Sequence, residues 1–135
     1  MHHTRDDTWL TGWLANRLAD CLVAYARKDA TMKLELLRRA QTFMSAAGLD
    51  AWVVSDFRGN NPVLGPILGR RVHLTRRALL VIPVNGPPSL FVHAIEAGQF
   101  AEEGDWLCPY RTHDDLVQAL RPMLSGLGRV AIEYS

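Results

Sequence analysis

Residue types able to do chemistry concentrate in one stretch, Asp56-Phe-Arg-Gly-Asn-Asn-Pro-Val-Leu64. Asp56, Arg58, Asn60 and Asn61 together offer more hydrogen-bonding groups than a plain turn needs. The planar fork of Arg58 suits bidentate binding of a carboxylate. The stretch follows an apolar run, Ala51-Trp-Val-Val54, and loops that leave the carboxyl ends of sheet strands are common ligand sites. A purely structural use fits the same residues. Asn60, Asn61 and Pro62 also suit the cap of a short helix starting near Val63, although that use leaves Arg58 unexplained. Both uses stay open at this stage.

Other chemistry finds less support. His73, His93 and His113 recur at a spacing of twenty, but no pair has the spacing or acidic neighbour of a metal motif. They read as ordinary surface or edge histidines, and a small hydrolase built on His93 or His113 lacks a paired nucleophile and base. No nucleophile elbow, zinc helix or phosphate loop is present. Gly65 and Gly69 read as turn geometry. Arg70, Arg71, Arg76 and Arg77 form a basic cluster without interleaved aromatics. They are expected in a solvated loop or paired with acids of another domain, and not on nucleic acid. The 14 acidic residues are dispersed. The adjacent pairs Asp6-Asp7, Glu102-Glu103 and Asp114-Asp115 point different ways, so they read as helix-dipole partners and solvated ends.

The chain of 135 residues is long enough for one domain with a core, and its 48% hydrophobic and 21% charged residues are ordinary for a globular protein. A net charge of +1 gives no strong pull toward nucleic acid or membrane. No apolar run approaches the roughly 20 residues of a membrane span, and the N-terminus has no signal-peptide core. Cys21 and Cys108 are the two cysteines, expected as reduced thiols in a cytoplasmic protein.

The elements that must position these residues follow from periodicity. Residues 6–28 predict a helix with acids first and bases last, and a stripe of Leu10, Leu14, Leu18, Cys21, Leu22 and Tyr25. Trp9 and Trp13 lie beside that stripe, either covering this domain's own core or forming an interface. A second helix is expected over 32–47, with Leu36, Ala40, Phe43 and Ala47 inward and Gly48 after it. Strands are expected at 51–54, 78–84, 89–93, 105–110 and 129–134, the second and third joined as a hairpin by Asn85-Gly-Pro-Pro88. Helices are expected over 95–102 and 114–124, with Thr112 or His113 at the second cap and Pro122 distorting its last turn. This order predicts a three-layer α/β/α domain with a mixed sheet of about five strands, preceded by an extra helix.

Several blocks resemble a known family. "AAGLD", "AWVVSD", "RRALLVIPVNGPPSLFVHAIEAGQF" and "RVAIEYS" are similar to the N-terminal domain of the creatinase/prolidase/aminopeptidase P family, which carries a ribonuclease H-like motif. "DFRGNNP" and "LTRRALLVIP" look closest to a bacterial Xaa-Pro peptidase branch. The match spans 32–135 and leaves 1–31 as a helical extension. The resemblance implies a non-catalytic domain that assembles oligomers and shapes the substrate entrance. It implies a following "pita-bread" catalytic domain in which two Asp, one His and two Glu hold two divalent metal ions (Mn, Co or Zn). The implied partners are that catalytic domain, a second copy of the chain and a proline-containing peptide, with no nucleic acid or membrane. The substrate-side candidates are Asp56, Arg58, Asn60, Asn61 and His93, and the interface candidates are Trp9 and Trp13. A stand-alone protein-binding module on the same fold is the alternative.

Overall fold

The computed structural model describes residues 33–133. The extra helix predicted over 6–28, with Trp9, Trp13 and Cys21, lies outside the described residues.

The first described element is α1 (Lys33–Ala47). It ends where Gly48 adopts φ 72°. There Gly48 N donates to Ser45 O and Leu49 N donates to Met44 O, a paired closure that satisfies the last helical carbonyls. Strand β1 (Ala51–Asp56) follows, then the short α2 (Leu64–Leu68). Strands β2 (Ala78–Pro83) and β3 (Ser89–His93) form the expected hairpin. A 3₁₀ segment spans Ala94–Glu103, then come β4 (Leu107–Tyr110), α3 (His113–Leu124) and β5 (Val130–Glu133).

The five strands form one mixed sheet in the order β4-β3-β2-β1-β5. β2 runs antiparallel to both β1 and β3, whereas β5 pairs parallel with β1 and β4 parallel with β3. The carboxyl ends of β1, β3, β4 and β5 therefore meet at one edge of the sheet, and β2 begins there. Pro109 falls in the edge strand β4, where a missing backbone N–H costs no ladder bond.

Alternation along the strands divides the side chains between two faces. Trp52, Val54, Leu80, Ile82, Leu90, Val92 and Ala131 meet Leu36, Leu37, Ala40 and Met44 of α1, Leu64, Ile67 and Leu68 of α2, and Phe100 of the 3₁₀ segment. Val53, Val81, Phe91 and Tyr110 face the other way, against Leu116 and the half-buried Leu120 and Leu124 of α3. The three-layer α/β/α arrangement is thus present. Each fully buried large aliphatic side chain stabilises it by about 1.5–3 kcal/mol.

Some local expectations are corrected. The inward stripe of α1 is Leu36, Leu37, Ala40 and Met44, with Phe43 and Ala47 only half-buried. The helix packs against both α2 and the sheet, so its buried face is set by two surfaces. The segment after β3 is 3₁₀ and breaks helical geometry at Phe100 (φ −113°, ψ 34°). β1 runs two residues beyond Val54, whereas α3 reaches Leu124 with Pro122 inside it, as expected.

Two polar clamps fix the frame. Asp50 Oδ2 accepts from the backbone N of Gly128 (2.7 Å) and Arg129 (3.1 Å), tying the start of β5 to the start of β1. Gln41 Nε2 donates to Pro83 O (2.9 Å) and Gly86 O (2.8 Å), holding the hairpin turn against α1.

Candidate functional site at the carboxyl edge

The sheet edge where four strands end gathers most of the sequence candidates. Asp56 closes β1 and is 1% exposed. Its carboxylate folds back on the following loop, Oδ2 accepting from Gly59 N (2.8 Å) and Oδ1 from Asn61 N (2.7 Å). Asn61 is also buried. Its Nδ2 donates to Ser55 O (2.9 Å), and its Oδ1 accepts from Val63 N (2.8 Å) at the entrance to α2. Asp56 and Asn61 thus spend their polar groups on nearby backbone, and Asn61 closes a turn onto Val63, the cap residue of α2, which itself has no side-chain cap bond.

That internal bonding turns other side chains outward. Phe57, Arg58, Gly59 and Asn60 are exposed. Arg58 sits at φ 62°, beside Gly59 at φ 76°. A left-handed conformation costs a residue with a Cβ roughly 1 kcal/mol, and here the carboxylate grip on Gly59 and Asn61 sustains it. The Arg58 guanidinium carbon stands 5.3 Å from the centroid of Phe57. From the start of β2, the Arg77 guanidinium carbon stands 5.0 Å from the same ring and Nη1 donates to Ser55 Oγ (2.9 Å). Two cations therefore share one half-exposed aromatic ring, each contact worth about 0.5–1 kcal/mol at the surface. Neither Arg58 nor Arg77 makes an ion pair among the described residues. Their charge remains available to an anion, and the planar fork of Arg58 suits a carboxylate.

His93 closes β3 with both ring nitrogens engaged. Nδ1 accepts from Ile95 N (3.1 Å), and Nε2 lies 3.1 Å from Arg111 O. A carbonyl can only accept, so Nε2 carries the proton. The ring meets Tyr110 edge-on at 5.5 Å. This placement makes His93 the cap of the 3₁₀ segment. It joins that segment to the loop after β4.

Tyr110 and Glu96 are members of the edge that sequence reasoning missed. The Tyr110 hydroxyl donates to Arg77 O. Burial pushes its pKa up and Glu96 adds to the rise, against the opposing influence of Arg77 and Arg76. Tyr110 therefore stays a neutral donor. Glu96, 8% exposed, accepts from Thr75 N (2.6 Å) and Thr75 Oγ1 (2.9 Å) through Oε2. No local pattern announces either bond, since the partners lie 33 and 21 residues away.

The basic cluster splits. Arg70 makes a bidentate pair with Glu103 at 2.6 and 2.7 Å and donates to Gln99 O. This corrects two expectations: the acid pairing with the cluster belongs to this same domain, and Glu103 is buried at 2% exposure instead of solvated. Arg71 and Arg76 are exposed as expected. Asp115 completes a capping box with Thr112 at the start of α3.

Among the described residues, no three His, Cys, Asp or Glu side chains stand close enough together to hold a metal ion, and no helix is long and apolar enough to cross a membrane. No protein-family model matches the chain, and no curated protein matches it.

Proposed function

We propose that this chain is the N-terminal accessory domain of a metal-dependent Xaa-Pro peptidase, and that its carboxyl edge helps form the substrate entrance. The observation that carries the reading is the loop after β1. Asp56 and Asn61 lock its backbone, so that Phe57, Arg58 and Asn60 stand outward as a preorganised set. The similarity of the "AWVVSD", "DFRGNNP" and "RVAIEYS" blocks to that family supports it. In this reading the two divalent ions (Mn, Co or Zn) and the hydrolytic step belong to a following catalytic domain. The intact enzyme would be a cytoplasmic homo-oligomer acting on proline-containing peptides, with Trp9 and Trp13 at the interface between copies.

In that enzyme Arg58 binds a substrate carboxylate. Arg58→Ala is expected to raise KM for short peptides about tenfold, the worth of one charge-assisted hydrogen bond, with little change in kcat. Unchanged kinetics would remove the loop from the substrate path.

The exposed Phe57 flanked by two guanidiniums also favours a second reading, a stand-alone protein-binding module. Capture of an acidic partner that is lost on Phe57→Ala, by a chain with no peptidase activity in any assembly, would select it.

A further inference from the structure

Arg58 and Arg77 come from different parts of the chain, and the sheet brings them together. The antiparallel ladder of β1 and β2 ends with Asp56 opposite Ala78. One step further along, Phe57 falls across from Arg77. The Phe57 ring thus receives one cation from its own loop and one from the neighbouring strand. Each guanidinium carbon lies about 5 Å from the ring centroid, so the two are no more than roughly 10 Å apart.

Both cations stand on fixed supports. Asp56 holds the backbone that carries Arg58 through Gly59 N and Asn61 N, and its carboxylate is spent in doing so. Arg77 is tied at two points. Its carbonyl accepts from the Tyr110 hydroxyl, and its Nη1 donates to Ser55 Oγ. A guanidinium has five N–H donors. Ser55 takes one from Arg77, and the donors of Arg58 meet no acceptor among the described residues. Neither arginine has a carboxylate partner there. Two like charges held close together repel, and a ligand with two negative charges relieves that repulsion. Each planar fork matches one carboxylate, so two forks on separate supports match two carboxylates of one ligand.

We infer that Arg58 and Arg77 together select peptides whose C-terminal residue is acidic, Arg58 taking the terminal carboxylate and Arg77 the side-chain carboxylate. This rests on the reading of the carboxyl edge as a substrate entrance and adds to it the class of substrate. Arg77 is then the residue that sets specificity, and its loss removes a preference without removing binding.

The test is calorimetric titration of the full chain with Ala-Pro-Glu and Ala-Pro-Gln, peptides that differ by one charge and hardly in shape. Ala-Pro-Glu is expected to bind about fivefold more tightly, the scale of one exposed charge contact. Added salt narrows that gap. Arg77→Gln abolishes the preference and leaves the affinity for Ala-Pro-Gln nearly unchanged, whereas Arg58→Gln weakens both peptides alike. The two-peptide comparison uses the unaltered chain, so it stays decisive if Arg77→Gln fails to fold. Equal affinity for the two peptides, binding of neither, or a preference that survives Arg77→Gln would overturn the inference. Failure of the entrance reading looks different. There the chain still prefers Ala-Pro-Glu through Arg77, but Arg58→Ala leaves KM of the intact peptidase unchanged.

Discussion

Two loops leave β1 and β3, strands that run the same way on either side of β2, at the same edge of the sheet, and each is governed by buried carboxylates. After β1, Asp56 bonds to backbone groups three and five residues ahead. After β3, Glu96 and Glu103 bond to Thr75 and Arg70, 21 and 33 residues behind. The first carboxylate shapes its own loop and frees the remaining side chains to face outward. The other two fasten a long segment onto the rest of the domain, through Oε2 of Glu96 and both carboxylate oxygens of Glu103. A loop stiffened from within can offer groups to a ligand, whereas one stiffened by distant partners serves as a strut.

The contrast can be broken most severely at Arg70. Arg70→Met takes the bidentate guanidinium from the Glu103 carboxylate, whose side chain is fully buried, and is expected to cost about 3 kcal/mol in urea unfolding. Adding Glu103→Leu should recover most of that loss, because a buried pair replaced by apolar groups is often nearly neutral. Next comes Asp56→Ala, which removes an acceptor from two backbone donors and should cost about 2 kcal/mol. Faster hydrogen exchange confined to Gly59 and Asn61 would mark the effect as local, whereas the Arg70 change should loosen the whole 94–103 segment.

Tyr110 gives a smaller, pH-dependent effect. Its folded pKa is raised above the ordinary value near 10. Between the unfolded and folded pKa values the native state binds more protons, so stability is full below about pH 10 and falls as pH rises through that window. Tyr110→Phe should flatten the alkaline slope measured by thermal melts. Smallest is Arg58→Gly, where relief of the left-handed backbone opposes loss of the Phe57 contact. A net change below about 0.5 kcal/mol is expected, so any kinetic defect in the enzyme reports on binding and not on folding.

The same contrast explains what could be read in advance. Gly48 after α1, the Asn85-Gly-Pro-Pro88 hairpin and the Thr112 cap of α3 each depend on residues a few positions apart, and each was legible. The hydrogen-bonding capacity of Asp56 to Asn61 was legible too, but not its division. Nothing in the string says that Asp56 and Asn61 turn inward while Arg58 and Asn60 turn out, since that follows from where Ser55 and Val63 present their backbone groups. Glu96 with Thr75, Glu103 with Arg70 and Tyr110 with Arg77 were invisible because the sheet order creates those neighbours. The phase of α1 was misjudged at Phe43 and Met44 for a related reason: the helix packs on two surfaces at once, and a single stripe is the pattern of one.

The strand order also bears on how the protein is made. β1 is flanked by β2 and by β5, and β5 ends 77 residues after the last residue of β1, counting from Asp56 to Glu133. On a ribosome adding about 5–20 residues per second, the β1–β2–β3 meander can assemble while the other side of β1 still has an open row of backbone donors and acceptors. For those seconds the nascent chain carries an apolar template able to pair with a foreign strand, and the clamp of Asp50 on Gly128 and Arg129 is the latch that ends the exposure.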